Sequence, residues 1–344
     1  MTGLEVSVIK NQILFIVGNS RSGTTMMRRV LGNHPDIFML EEMHFFEQLW
    51  SSSDADKILN TSEAITLASR LFFIQRNGYL SEIDFNLHKA DAEKVVNAMQ
   101  GKLFPHEIFK AFMFFETHLH NKTIPCQKTP QDVFYIKEIL ELFPEASIIN
   151  MVRDPRGVLL SQKRKWQRRN MGASFMTKKE QRRLKINYHP ITISKLWNSS
   201  QQAALQFADN ENVRTVIFEK LVETPDSEVR ALCTFLKMDF RETMLNIPQV
   251  GSSNEADAPN SFGIKSARAG NWEKGGLNNA EVQICQNICK KFMLQYGYTI
   301  ADVKANIFQL TYYYISFPFK IILALLFNLH RMKNIGEAIK RRLG

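Results

Sequence analysis

Ile13-Leu14-Phe15-Ile16-Val17 and, directly after it, Gly18-Asn19-Ser20-Arg21-Ser22-Gly23-Thr24-Thr25 decide how this chain is to be read. The first five residues are a short apolar run rich in branched side chains, the pattern of a strand buried on both faces. Beyond the loop, Met26, Met27, Val30 and Leu31 fall on one face of a helix that Gly32-Asn33 and Pro35 stop. Strand, glycine-rich loop and helix form a setting in which backbone N–H groups and the positive end of a helix dipole converge on an oxyanion. A phosphate is therefore expected here. A glycine-rich turn without a ligand is the plainer alternative, and the elements on both sides weigh against it.

The octapeptide departs from a nucleotide-triphosphate P-loop at one position, where Thr24 replaces the lysine that reaches the β- and γ-phosphates. That substitution disfavours triphosphate hydrolysis. Arg21, with Ser22, Thr24 and Thr25 around Gly23, offers instead one fixed cation and three hydroxyls, a donor set for a single 5′-phosphate and its substituent.

A second strand is expected over Ala146-Ser147-Ile148-Ile149-Asn150-Met151-Val152, with Arg153-Asp154-Pro155-Arg156 as a polar turn opening a helix. Ligands of open α/β sheets sit beyond the carboxyl ends of strands. Arg153 and, two helical turns on, Ser161 are thus placed to hold a second phosphate. Arg153-Asp154 also reads as a local ion pair at a helix start.

The segments RSGTTMMRRVLGNHPDIFMLEE (residues 21–42) and VRDPRGVLLS (152–161) resemble sulfotransferases that use 3′-phosphoadenosine 5′-phosphosulfate. The similarity is to the branch that includes protein-tyrosine sulfotransferases and many bacterial enzymes. Softer matches at 216–236 and 261–298 extend it over residues 12–299. The resemblance implies an α/β, P-loop-like three-layer fold, a central parallel sheet flanked by helices. It also implies sulfuryl transfer to a hydroxyl acceptor without a metal. Arg21, Ser22, Gly23, Thr24 and Thr25 match the loop for the 5′ end of the donor, and Arg153 with Ser161 matches the pair on its 3′-phosphate. Two anion sites separated by a nucleoside distinguish this donor from ATP.

Sulfuryl transfer needs an in-line nucleophile, charge stabilisation and a base. Glu41 and Glu42 follow Asp36-Ile37-Phe38-Met39-Leu40, where apolar neighbours are expected to raise a carboxyl pKa. By its spacing from Arg21, Glu42 resembles the family's catalytic glutamate, with Glu41 and His44 as reserves; a solvated pair of glutamates is the plainer reading. Cytosolic sulfotransferases use a Lys-Thr-His sequence, and here it reads Lys128-Thr129-Pro130, so the base comes from elsewhere. Lys128 resembles the lysine that contacts the bridging oxygen as the sulfuryl group leaves, a role shared with Arg21. Phe218 replaces a tyrosine that touches the donor in the family, which leaves packing as its expected role. Ser261, Trp272 and Lys274 resemble a closing loop over the nucleotide, with Asn271 where a basic residue is common.

The 344 residues, 44% of them hydrophobic, suffice for a full core. Residues 1–299 read as the sulfotransferase domain, with a helical insertion at about 51–125 expected to shape the acceptor pocket. Helix-like spacing marks Asp54–Leu71 and Ala92–Phe115 within it. Cys126, Cys233, Cys285 and Cys289 show neither metal spacing nor disulfide density, and Cys285 and Cys289, one helical turn apart in Glu281–Gln295, suit packing. No signal sequence is read before Ile13, in contrast to Golgi-resident relatives with an anchor, so a cytoplasmic, bacterial context is expected.

The net charge is +10, and Lys163 to Lys185 concentrates ten Lys or Arg against the single acid Glu180. Such a segment recruits an acidic acceptor, speeds capture of an anionic donor, or is simply a solvated basic helix. Only Trp166 and Phe175 interrupt the charges and no nucleic-acid motif is visible, so nucleic acid is not the expected partner. Residues 300–344 form an apolar, then basic extension. Pro318 and Lys320 break its apolar run, Ile307–Leu329, before it reaches a membrane span, and Arg331, Lys333, Lys340, Arg341 and Arg342 follow. Peripheral contact with an anionic membrane, packing on the domain and packing on a second subunit all remain open. A P-loop kinase and a non-catalytic nucleotide-binding protein are the rival readings. The acceptor, whether tyrosyl peptide, glycan, lipid or small molecule, is not written in these residues.

Overall fold

All six residues of β1 (Ile13–Gly18) are buried, so the strand must be covered on both sides. Because successive side chains alternate, Ile13, Phe15 and Val17 enter one apolar cluster while Leu14 and Ile16 enter another. In the computed structural model β1 is the middle strand of five, joined by β2 (Ile37–Met39), β3 (Ile124–Lys128), β4 (Ala146–Val152) and β5 (Val213–Ile217). Their order is β2-β3-β1-β4-β5 and every neighbouring pair is parallel. Leu14 lies opposite Cys126 on one side and Ser147 on the other. The structure describes residues 12–328 and residue 336, apart from 80–83, 85, 172–175, 267, 268 and 271. The expectations resting on Phe175, Asn271, Arg331, Lys333, Lys340, Arg341 and Arg342 lie outside the described residues.

The helices in chain order are α1 (Thr24–Gly32), α2 (Thr61–Asn77), α3 (Lys89–Ala98), α4 (Pro105–Leu119), α5 (Ile136–Leu142) and α6 (Pro155–Lys163). They continue with α7 (Lys178–Asn187), α8 (Pro190–Leu205), α9 (Phe218–Glu223), α10 (Pro225–Phe235), α11 (Asn279–Gln295) and α12 (Ile307–Asn328). One sheet face is covered by side chains of α2, α3, α4 and α5, the other by α1, α9 and α10. This is the expected three-layer α/β architecture with a parallel central sheet. A third cluster joins Val158 and Leu159 of α6, Trp197 of α8, and Cys285, Cys289 and Phe292 of α11. Burial of both cysteines there agrees with their reading as packing residues, and all four cysteines are reduced and buried.

Two helix expectations are corrected. The helix expected from Asp54 starts at Thr61, because Asn60 accepts from the Glu63 N–H at 2.9 Å while the Glu63 side chain accepts from Asn60 N–H at 3.0 Å. The single pattern over Ala92–Phe115 is two helices. The first stops at Ala98, and Pro105, which lacks an N–H, opens the second. Arg76 then ties this layer together through Glu116 at 2.6 Å and Asp91 at 2.7 Å. At the other end, α12 runs through Pro318 rather than breaking there. Even so, among the described residues no helix is long and apolar enough to cross a membrane. A two-stranded antiparallel ribbon, β6 (Pro248–Gln249) with β7 (Ala258–Phe262), frames residues 250–257 beside the sheet edge.

Candidate active site

Each sheet strand delivers something to the carboxyl edge: β1 the loop through Arg21, β2 Glu42 three residues beyond its end, β3 its last residue Lys128, β4 Arg153, and β5 Phe218. Parallel strands put all five at one end of the sheet. The edge opens into a cleft of about 320 Å³ lined by Arg21, Thr24, Thr25, Glu42, Arg153, Ser161 and Lys165, among others. Among the described lining residues Glu42 is the only acid, facing Arg21, Arg29, Arg153 and Lys165. The cleft is built for an anion.

Its floor is the turn into α1. Gly23 caps this helix at φ 97°, and no side chain satisfies the first helical N–H groups. The Ser22 hydroxyl is buried without a hydrogen-bond partner. A Cβ on Gly23 would come within 2.5 Å of the Phe218 ring, so only glycine lets the loop close down on that ring. Phe218 is itself buried, with the Arg153 guanidinium 4.3 Å above its ring. Packing is thus its role, as the missing hydroxyl suggested. The uncapped N–H groups fit the 5′-phosphate group expected here, with Gly23, Thr24 and Thr25 lining the cleft, whereas Ser22 is fully buried and not among the described lining residues.

Arg21 does not stay with the loop. At φ 75° it occupies the left-handed region, and its side chain crosses to the second expected pocket. There Nε donates to Ser161 Oγ at 2.9 Å and Nη2 donates to Ser253 Oγ at 2.7 Å. Arg153 Nη1 donates to the Arg21 carbonyl at 3.3 Å. The two anion pockets read from the sequence are therefore one continuous surface that Arg21 bridges. Burial, then the nearby Arg153 and Arg168, push the Arg21 guanidinium down to about 10.

Lys128 is buried behind the cleft wall and donates its ammonium hydrogen to Glu42 Oε1. The two proposed catalytic residues are thus paired with each other. Burial alone would raise the Glu42 carboxyl, as its apolar neighbours suggested, but the Lys128 charge and hydrogen bond, aided by His44, outweigh it. The carboxyl is held below its ordinary value, which corrects the sequence expectation. His44 Nε2 lies 3.7 Å from the other Glu42 oxygen. Glu41 points elsewhere: it accepts from Arg28 at 2.6 Å on the exposed side and is not among the described residues that line the cleft, whereas Glu42 is. Asp132 lies buried nearby, with neither carboxyl oxygen hydrogen-bonded. Burial first, then the charges of Glu47 and Glu42, push its carboxyl well above its ordinary value.

Ser261, Trp272 and Lys274 are not brought to the cleft lining. The Trp272 ring instead lies 3.9 Å from the Arg156 guanidinium, whose own buried partner is Asp154 at 2.6 Å. Asp154 thus pairs with Arg156, leaving Arg153 for the cleft. In place of the closing loop read from the sequence, residues 250–254 line the site. Arg168 holds them, donating from two nitrogens to the Asp257 carboxylate at 2.8 Å each and to Ser252 O at 2.7 Å.

The basic segment is consequently not a uniformly solvated helix. Lys163 pairs with buried Glu281 at 2.7 Å, Arg168 with Asp257, and Lys165 faces the cleft. Lys165 and Arg168 were missed as site residues, and their only signal was membership of the charge run. Burial, then Arg21 and Arg183, lower the Lys165 ammonium to about 8.

The family model described as the Sulfotransferase family matches residues 13–242. A Caenorhabditis briggsae relative provisionally named a protein-tyrosine sulfotransferase is 23% identical over 243 residues, 68% of this chain and 69% of its own length. The omega-hydroxy-beta-dihydromenaquinone-9 sulfotransferase Stf3 of Mycobacterium bovis is 24% identical over 178 residues, 43% of this chain. That match spans only 44% of Stf3. The sulfotransferase domain of the Synechococcus PCC 7002 olefin synthase aligns with a TM-score of 0.49 and 21% identity, over 82% of this chain and 94% of that domain. With the first strand, the glycine-rich loop and the later arginine turn all inside the matched span, this chain belongs to the Sulfotransferase family.

Proposed function

We propose that the chain transfers a sulfuryl group from 3′-phosphoadenosine 5′-phosphosulfate to a hydroxyl acceptor by one in-line displacement. The observation that carries this reading is the Lys128–Glu42 pair, whose carboxylate lines a cationic cleft with an uncapped helix N-terminus as its floor. Thr24, Thr25 and the N–H groups of α1 hold the 5′ end of the donor. Arg153 and Ser161 hold its 3′-phosphate, with Arg21 turning from Ser161 toward the phosphosulfate. Lys128 moves from Glu42 to the oxygen that bridges sulfur and phosphorus. Glu42, released from its ammonium partner, regains basicity and takes the acceptor's hydroxyl proton. The acceptor oxygen bonds to sulfur as the bridging S–O bond breaks. The electron pair leaves on the phosphate, which Lys128 and Arg21 neutralise. The products are a sulfate ester and adenosine 3′,5′-bisphosphate, and no metal is needed. The named relatives favour tyrosyl or lipid hydroxyls as acceptor classes.

The test is incubation with donor carrying radioactive sulfur and fractionated cell extract, followed by mass analysis of labelled products. Label appearing in a sulfate ester supports transfer. Binding of adenosine bisphosphate with no labelled product in any fraction would reduce the chain to a nucleotide-binding protein. Release of phosphate from ATP with magnesium would favour the kinase reading.

Lys165 gives the site a pH dependence. A cation with a pKa of about 8 aids bisphosphate binding while protonated and ceases to as pH rises through that value. Affinity measured by titration calorimetry is expected to fall up to about tenfold per pH unit above about 8, with proton uptake on binding. Lys165→Met should bind more weakly near neutrality and lose that step. An unchanged pH profile in the variant would remove Lys165 from the binding surface.

A further inference from the structure

Helix α12 is amphipathic in the wrong sense for a helix packed on a water-soluble domain. Its inward side carries polar groups: Tyr313 OH accepts from Asn278 at 3.2 Å, and Ser316 Oγ lies 3.3 Å from His189 Nε2. Its outward side carries Phe308, Tyr312, Ile315, Phe319, Ile322 and Leu326, each more than half exposed and Phe308 81% exposed. No charged residue occupies any exposed position from 307 to 327 among the described residues. At 1.5 Å per residue the 22-residue helix is about 33 Å long, and its one charged residue, Lys320, is only partly exposed, so the outward strip carries no exposed charge. Monomeric soluble proteins do not leave such a strip in water.

The breadth of the strip selects its occupant. Exposed apolar or uncharged residues come in adjacent groups on successive turns, at 307–309, 311–312, 314–315, 318–319, 322–323 and 326–327. A helical partner would use a narrow seam flanked by charged positions, which is not what α12 presents. A planar apolar medium takes a broad face. Charge supplies the second observation. Helix α7 packs against α12 and exposes Lys178, Lys179, Arg182 and Lys185 beside it. The sequence after α12 adds Arg331, Lys333, Lys340, Arg341 and Arg342 against one acid, Glu337. An apolar strip bordered by cations matches the boundary between acyl chains and anionic headgroups.

We propose that α12 lies in the plane of an anionic bilayer, its outward face among the acyl chains and the exposed cations of α7 on the headgroups. The binding is peripheral, since α12 is not built to span. It does not depend on the reaction assigned to the cleft.

The experiment is co-sedimentation of the full chain with vesicles of pure phosphatidylcholine or of phosphatidylcholine and phosphatidylglycerol in equal parts. The chain is expected in the pellet with the anionic vesicles and in the supernatant with the neutral ones. Replacing Lys178, Lys179 and Arg182 together by Gln is expected to lower the partition coefficient roughly a hundred-fold. Phe319→Glu combined with Ile315→Glu should lower it by at least about tenfold. All of these sites are exposed, and an unchanged thermal midpoint with unchanged adenosine bisphosphate affinity verifies that the variants are folded. Absence of binding to anionic vesicles overturns the proposal, as does binding that the triple Gln variant leaves unaltered. A dimer in sedimentation velocity that Phe319→Glu dissociates, with no vesicle binding, would give the face to a second copy instead.

Discussion

Glu42→Gln is expected to lower the turnover of sulfuryl transfer by about 10²–10⁴-fold while leaving adenosine bisphosphate affinity within about twofold. Glutamine keeps an oxygen where Lys128 donates, so the buried ammonium retains its partner and the wall of the cleft stands. What disappears is the ability to take a proton. The control is Glu41→Gln, one residue away. Glu41 is bound to Arg28 outside the cleft lining, and its loss should change turnover by less than about twofold. Steady-state assay of the two variants beside calorimetric binding reads both quantities. Turnover of Glu42→Gln near that of the parent would remove Glu42 from the role of base, and a large defect in Glu41→Gln would transfer it there.

The second large effect is on folding. Gly18→Ala is expected to lower the unfolding free energy by at least about 3 kcal/mol, measured by urea denaturation with the midpoint and slope fitted together. Gly18 has φ 135°, which side chains of L-residues rarely accept, and it is paired with Met151 across the central strands. A Cβ there would stand 2.4 Å from the Met151 carbonyl oxygen and 3.1 Å from its nitrogen. Both obstacles are backbone atoms, so no rotamer change relieves the clash. Either β1 and β4 separate or the loop rotates, and each displaces Arg21 relative to Arg153. A loss of under about 0.5 kcal/mol would contradict the close approach of the two strands.

The electrostatics of the cleft follow from placing so many cations at one sheet edge. Arg21 is lowered by burial and by its cationic neighbours, and Lys165 is lowered by burial and by Arg21 itself. These groups repel one another until an anion arrives, which raises affinity for a multiply charged ligand and the rate of its capture. The Lys128–Glu42 pair offsets part of this repulsion, since Glu42 is the one acid among the described lining residues and its charge also acts on Lys165.

Local pattern made β1, the turn into α1 and β4 legible, since a buried parallel strand is a run of branched apolar residues and its following loop carries the glycines. Helix boundaries in 51–125 were less so. Asn60 and Pro105 set them through capping and a missing donor, while the apolar spacing ran on across both. Arg168 and Lys165 were hidden in a run of ten cations because nothing adjacent distinguishes a lysine facing solvent from one facing a cleft. The Asp257 that pairs with Arg168 and the Arg21 whose charge acts on Lys165 are 89 and 144 positions away in the chain. Trp272 misled for the same reason: its contact is with Arg156, on another element.

By itself the sequence determined the strand–loop–helix unit, the replacement of the P-loop lysine by Thr24, and the arrival of Arg21, Lys128 and Arg153 at strand ends. These depend on backbone conformation and on the identity of a few side chains, which neighbours in the chain dictate. Only the tertiary structure decided that Arg21 crosses to Ser161, that Lys128 holds Glu42 below its ordinary pKa, and that α12 turns its apolar face outward. Each of those is a contact, or the lack of one, between distant segments, and the energy of a charge or an apolar face depends on what folding brings against it.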